Sequence, residues 1–206
     1  PDAAPKVAKT GATAAAGKQT LARAVAALGG KDAAAVKAIR AKTKMTLSMG
    51  GQSMQLGQDL LLVFPDRMRV VVQSPMGEQT VVVGEGTAFV AAGGQVQDLP
   101  APAMEKMRKD LGHDLRSIVR YADEAEAVGA GGEDVDGVAC DVVVVTLRGV
   151  ESRLWVAADG KVLKQTYQGE NPITRAPGPV EVRFSDYRDL GGRQVPHKQS
   201  VRMDGQ

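Results

Sequence analysis

Few side chains in this sequence have the types and spacing that catalysis or metal binding requires. The 206 residues include two histidines, His113 and His197. Two imidazoles completed by carboxylates could bind zinc. Neither histidine, however, has a second histidine four residues away and the glutamate of a zinc-peptidase helix. We therefore expect surface or hydrogen-bonded histidines and predict no metal site.

Nucleophilic chemistry has equally little support. The single cysteine, Cys140, lies in an apolar run at 138–142, where a buried thiol is usually inert. The sequence lacks a phosphate-binding loop and a Gly-x-Ser-x-Gly elbow. The acidic pairs at 123–124 and 133–134 fall in hydrophilic stretches, where solvated carboxylates are expected. We predict that the chain is not an enzyme and needs no cofactor, and keep a hydrolase as the third alternative.

The composition excludes two further classes of function. There are 26 basic and 24 acidic residues, for a net charge of +2, and aromatic residues make up only 3% of the chain. Because nucleic-acid binders cluster their cations and stack bases on aromatic rings, we predict no nucleic-acid partner. No apolar run approaches the roughly 20 residues of a membrane span, so we predict that the chain does not span a membrane.

The hydrophobic periodicity predicts a mainly antiparallel β fold with a few helices. Residues 1–17 have the composition of a flexible linker or tail, and residues 18–206 are predicted to form a single domain. After a short helix at 18–28, turn signals recur at strand spacing and predict roughly nine to eleven strands. An amphipathic helix from Met104 to about Arg120 interrupts them, followed by a glycine-rich loop at 129–132. The abrupt ends predict a piece of a longer protein.

Methionine is the informative excess, with eight residues against three Phe, three Tyr and one Trp. Methionine adapts to irregular apolar ligands, and here it alternates along the predicted strands and lies on the apolar stripe of the helix. The predicted lining residues of a ligand cavity are Met45, Leu47, Met49, Met54, Leu56, Leu62, Met68, Val70, Met104, Met107, Leu111 and Leu115. Regular spacing more often indicates a packed core, so that interpretation stays open beside the ligand cavity. Arg67 and Arg69 would contact a headgroup or a negatively charged partner, or remain solvated.

The order of several short phrases resembles the LolA-like superfamily of periplasmic lipoprotein carriers. They cover nearly all of residues 18–206. The phrases are residues 36–42 leading into the strand at 43–47, residues 64–69 (FPDRMR), residues 154–160 (LWVAADG), residues 184–192 (FSDYRDLGG) and the Val-Pro at 195–196.

This resemblance implies an incomplete β barrel closed by helices, with a hydrophobic cavity that binds acyl chains of lipoproteins or lipids in the periplasm. It also implies that no catalytic residues are needed. The chain also resembles C-terminal modules of insulinase-type zinc peptidases. The alternative function is therefore a non-catalytic accessory interaction domain, with a protein partner or a fused peptidase domain.

Overall fold

The computed structural model describes residues 11–29, 33–49, 52–170 and 176–203. These residues form twelve strands and three α-helices. The mainly antiparallel β fold class is confirmed, with more strands than the nine to eleven predicted. The chain divides into two compact units. We call residues 35–111 the middle unit, and residues 1–34 together with 112–206 the composite unit.

The middle unit contains a six-stranded antiparallel meander whose strands are hydrogen-bonded in sequence order. The strands are β1 (Ala38–Met49), β2 (Gln52–Val63), β3 (Arg67–Ser74), β4 (Gly77–Val83), β5 (Ala88–Ala92) and β6 (Gln95–Asp98). The sequence predicted about five strands here and missed β6. All four residues of β6 are exposed and only Val96 is apolar, so the strand has no hydrophobic alternation to recognise.

The predicted helix after the meander is divided in two. Helix α2 (Ala101–Asp110) ends before a 3-10 turn, and α3 (Leu115–Arg120) begins after Asp114. The Asp114 carboxylate caps α3 by accepting a 2.8 Å hydrogen bond from the Arg116 amide. Between the helices, Gly112 is buried so tightly that a Cβ there would lie 2.3 Å from the Val150 side chain. These two local features break a helix that the apolar periodicity alone extends to Arg120.

The composite unit contains a second six-stranded antiparallel meander, again paired in sequence order. Its strands are β7 (Glu126–Val135), β8 (Val138–Leu147), β9 (Val150–Ala157), β10 (Val162–Glu170), β11 (Pro177–Asp189) and β12 (Gln194–Met203). Helix α1 (Gly11–Leu28) buries Leu21 and Ala24 in the main core, together with Ile118 of α3 and alternate residues of the strands. The apolar side chains of α1, α3 and the sheet thus form a closed core.

Helix α1 contacts β7 through two glycines. A Cβ on Gly17 would lie 2.6 Å from the backbone nitrogen of Gly129, and a Cβ on Gly129 would lie 3.1 Å from the Thr13 carbonyl oxygen. The sequence predicted a linker at 1–17 and a loop at 129–132. Residues 1–10 of the predicted linker lie outside the described part of the chain. Residues 11–17 instead belong to α1, and residues 129–132 lie within β7 around a bulge. Glycine serves here for close backbone approach and not for flexibility.

We predict that Gly17→Ala lowers the free energy of unfolding by about 2 kcal/mol or more, because the added methyl meets rigid backbone. The loss is expected although alanine is the better helix former. Denaturant unfolding followed by circular dichroism measures it. The matched control is Gly132→Ala, where the nearest atom to the new Cβ is 3.5 Å away. Equal stability of the two variants would disprove the close contact.

Candidate functional site

The strand register places the predicted lining residues of the middle unit on one face of its sheet. Directly paired residues of antiparallel strands project to the same side. The pairs are Met45–Leu56, Leu47–Met54, Leu62–Met68 and Leu60–Val70. Met49 occupies the next alternate backbone position of β1, paired with Gln52. We call the side that carries these pairs the Met face.

The register also adds residues that sequence reasoning missed. One row of paired positions crosses five strands and spans about 19 Å at the usual strand spacing. Its members are Ala41, Leu60, Val70, Val81 and Val90, all half-buried. Leu60 was overlooked because the five apolar residues at 60–64 conceal the alternation of β2. Only the pairing of Leu60 with its neighbours shows which way it points.

Exposure of the Met face increases from one end to the other. At the end near the β2–β3 turn, Leu62, Val83 and Ala88 are 1%, 2% and 6% exposed, whereas Leu47 at the far end is 40% exposed. A row of Thr43, Gln58, Val72 and Gln79 crosses between them. Polar side chains on β1, β2 and β4 therefore interrupt the apolar surface at this row, and Val72 is its apolar member on β3.

Helix α2 is fastened at the buried end of the Met face. Arg108 donates a 2.8 Å hydrogen bond from Nη2 to the carbonyl oxygen of Gly84, and its Nε lies 3.6 Å from Asp66 Oδ2. Both acceptors lie in turns at that end of the sheet. The predicted lining residues of the helix, Met104, Met107 and Leu111, remain half-buried.

Two groups of predicted residues lie elsewhere. Leu115 packs against the core of the composite unit, on α3, because the predicted helix is broken before it. Arg67 and Arg69 pair with Val63 and Leu61 on the sheet face opposite the Met face. Because side chains alternate along a strand, the two arginines do not point toward a headgroup on the Met face. Contact with a negatively charged partner stays open for them.

The opposite face of β1 to β3 carries a concentration of cations, and we call it the basic face. Its exposed cations are Arg40, Lys42, Lys44, Arg67 and Arg69. Arg40 binds Asp59 bidentately, with Nε–Oδ1 and Nη2–Oδ2 distances of 2.9 and 2.6 Å. This hydrogen bonding, helped by the charges of Lys42 and Arg69, lowers the pKa of Asp59. Three of the five cations, Arg40, Lys42 and Arg69, thus act on this one carboxylate.

We predict that Arg40→Gln raises the pKa of Asp59 toward the ordinary value, measured by a carboxyl NMR titration. A depressed pKa stabilises the folded state above the unfolded-state pKa, and the stabilisation is lost as the pH falls through the folded-state value. The acid limb of the stability profile should therefore flatten in the variant. Arg67→Gln is the control, since Arg67 is not among the charges acting on Asp59. An unchanged Asp59 titration in Arg40→Gln would contradict the pairing.

A serine and a histidine lie at hydrogen-bonding distance in the composite unit. His113 Nδ1 is 3.0 Å from Ser152 Oγ, and the Gln165 amide donates to Ser152 Oγ at 3.1 Å and to the His113 carbonyl at 2.7 Å. The His113 ring stacks on Tyr167 with centroids 4.2 Å apart. Ser152 and Gln165 are each only 2% exposed. Because a substrate cannot reach this hydroxyl, the arrangement is a closed polar network within the core and not a nucleophile–base pair.

Removing the Ser152 hydroxyl should leave buried partners without a hydrogen bond. We predict that Ser152→Ala lowers the free energy of unfolding by about 2 kcal/mol, measured by denaturant titration. The control is Ser200→Ala on β12, where the serine is exposed. If the two variants were equally stable, the network would have no structural role.

The remaining candidates for chemistry are closed or unsupported. Cys140 is 4% exposed, and burial followed by the charges of Asp134 and Asp141 raises the pKa of its thiol. His197 is exposed, with Nδ1 3.0 Å from the Val195 carbonyl oxygen. Within the described part of the chain, no group of three or more His, Cys, Asp or Glu side chains is placed to hold a metal ion. A surface pocket of about 290 Å³ lies on the composite unit between Val138, Leu163 and Lys198, apart from the predicted lining residues.

None of the described helices is both long and apolar enough to cross a membrane.

Comparison with known proteins identifies the fold. No protein-family model and no curated protein matches the sequence. Among solved structures, the chain is similar to a DUF1329 family protein from Desulfovibrio piger, with a TM-score of 0.59 and 14% identity over 93% of this chain and 86% of that one.

Two more solved structures have LolA-type descriptions. One is a LolA superfamily protein from Nitrosomonas europaea, with a TM-score of 0.57 and 12% identity over 91% of this chain and 86% of that one. The other is a putative outer membrane lipoprotein-sorting protein domain from Vibrio parahaemolyticus, with a TM-score of 0.56 and 13% identity over 93% and 86%. The chain thus has a LolA-like fold, as the short phrases of the sequence predicted.

Proposed function

We propose that this chain is a periplasmic carrier domain that binds acyl chains of lipoproteins or lipids on the Met face. The observation that carries the proposal is the half-buried row formed by Ala41, Leu60, Val70, Val81 and Val90. A packed core would bury these side chains fully, whereas a solvated sheet face would carry polar ones. Apolar residues that are only partly covered are typical of a surface that takes a ligand.

The row is long enough to contact much of an acyl chain lying across the strands. Burial of each methylene contributes about 0.8 kcal/mol, so a row of about 19 Å would provide substantial affinity. The flexible side chains of Met104 and Met107 on α2 can adjust to ligands of different shape. The similarity of the fold to LolA-type proteins supports this class of ligand and a periplasmic location.

Two adjacent leucines of β2 provide a test with an internal control. Leu60 lies on the Met face, paired with Val70, and Leu61 lies on the opposite face, paired with Arg69. We expect Leu60→Gln to weaken binding of palmitate or a diacylated lipopeptide about tenfold, because a polar amide replaces apolar contact area. Leu61→Gln should leave affinity unchanged. Native mass spectrometry of the purified protein with added ligand measures both, and organic extraction identifies any co-purified lipid.

The same experiment distinguishes the accessory-domain alternative. If the wild-type protein carries no lipid and takes up none, or if both leucine variants weaken binding equally, the Met face is not an acyl site. The chain would then be an interaction domain of a larger periplasmic protein, such as one with a fused peptidase domain. Its protein partner should then be sought among proteins that bind the edge of β1, which is described below.

A further inference from the structure

The edge strand β1 leaves a regular set of backbone groups without a strand partner. Among the described residues, β1 pairs only with β2, and the register from Ala38–Val63 to Met49–Gln52 contains no shift. Just before it, the Phe64 amide donates a 3.0 Å hydrogen bond to the Lys37 carbonyl, which makes Lys37–Phe64 a hydrogen-bonded pair. Hydrogen-bonded and non-bonded pairs alternate in antiparallel sheets. Odd-numbered residues of β1 therefore bond to β2, and the backbone groups of even-numbered residues point outward.

Three successive even-numbered residues of β1 are cations. Arg40, Lys42 and Lys44 are exposed and lie on the basic face. Asp59, to which Arg40 is bound, is the one carboxylate on this face of β1 to β3. The intervening positions, which belong to the Met face, are Ala41, Thr43 and Met45. An incoming strand would thus meet positive charge at alternate residues, with two apolar side chains and one hydroxyl between them.

We propose that the edge of β1 binds an extended segment of a protein partner in which acidic residues alternate with apolar ones. The partner would add a strand to the sheet, as in β-augmentation. Its carboxylates would lie beside Arg40, Lys42 and Lys44, and its apolar residues would extend the Met face. This interaction is separate from acyl binding and goes beyond the proposed carrier function.

The same cations disfavour the competing partner, a second copy of this strand. Antiparallel pairing of two β1 strands centred on Lys42 would place Arg40 of one chain beside Lys44 of the other. Like charges on paired positions are destabilising, and lysines on an edge strand are a common protection against self-association. An acidic segment converts each of these repulsions into an attraction, so one set of charges provides both protection and selectivity.

The test uses a fluorescent peptide of about ten residues in which Glu and Val alternate. Its control has the same composition with Glu and Val in blocks, so that net charge is kept and strand alternation is lost. We expect the alternating peptide to bind at least about tenfold more tightly in fluorescence anisotropy. Lys42→Glu combined with Lys44→Glu should abolish this binding and create binding to a peptide alternating Lys with Val. Equal binding of the two acidic peptides would overturn the proposal.

Backbone pairing is tested separately from charge. Lys42→Pro removes an amide that points outward, so the sheet should fold, because proline is tolerated at such edge positions. Lys42→Gln removes only the charge. We expect Lys42→Pro to bind the alternating peptide at least about fivefold more weakly than Lys42→Gln, because it also loses a strand hydrogen bond. Equal affinities would show that no strand is added.

Amide hydrogen exchange of the wild-type protein gives an independent result. Adding the alternating peptide should slow exchange at Arg40, Lys42 and Lys44 and leave the odd-numbered amides of β1 unchanged. If neither set of amides becomes protected, the proposal is overturned. So would binding to phosphatidylglycerol vesicles that depends on Lys42 and Lys44 without any peptide binding, because the basic face would then contact a membrane surface. We expect Lys42→Gln to take up palmitate normally. Loss of peptide binding in this variant would then be distinct from failure of the carrier function.

Discussion

The backbone pairing of β2 with β1 and β3 is the interaction on which both surfaces of the middle unit depend. Side chains alternate along a strand, so a shift of one residue would exchange the two faces completely. Leu60 and Leu62 would then lie among the cations. The register is held by burial of Leu62, which is 1% exposed, and by the bidentate Arg40–Asp59 pair between β1 and β2 on the other face. Apolar burial and charge pairing thus select the same alignment.

The composite unit shows how a similar antiparallel sheet forms a fully packed core. Its core combines the sheet with α1 and α3, and it tolerates a buried polar network because Gln165 and His113 together satisfy the Ser152 hydroxyl. Two glycines bring α1 into contact with β7 at backbone distance. The row centred on Val70 in the middle unit is, by contrast, only half-buried. A ligand surface requires that difference, because an apolar residue that is already fully packed has no area left to bury.

In the two proposals, strand β1 would contribute to two kinds of recognition because its two sides differ chemically. Its odd-numbered residues supply apolar area to the Met face, where affinity would follow the number of methylenes buried. Its even-numbered residues supply charge and outward backbone groups, where selectivity would follow the pattern of a partner. The row through Thr43, Gln58 and Val72 lies between Met45 and Met54 at one end and the row centred on Val70 at the other. A ligand that extends along the Met face would therefore cross polar side chains on β1 and β2.

The local pattern of residue types along the chain was sufficient to predict much of this fold. Alternation of polar and apolar residues predicted the antiparallel strands, the methionines of β1 to β3 on one face, and the order of phrases typical of a LolA-like fold. Pattern failed where a residue's role depends on a distant neighbour. Gly17 and Gly129 have the composition of linker and loop until each is placed against the other. The run at 60–64 has no visible alternation, and only its pairing with β3 shows that Leu60 and Leu61 lie on opposite faces.

The sequence by itself determined which segments become strands, because that depends on spacing along the chain. Only the tertiary structure decided which residues share a surface, because that depends on hydrogen-bond register and close packing between segments far apart in sequence.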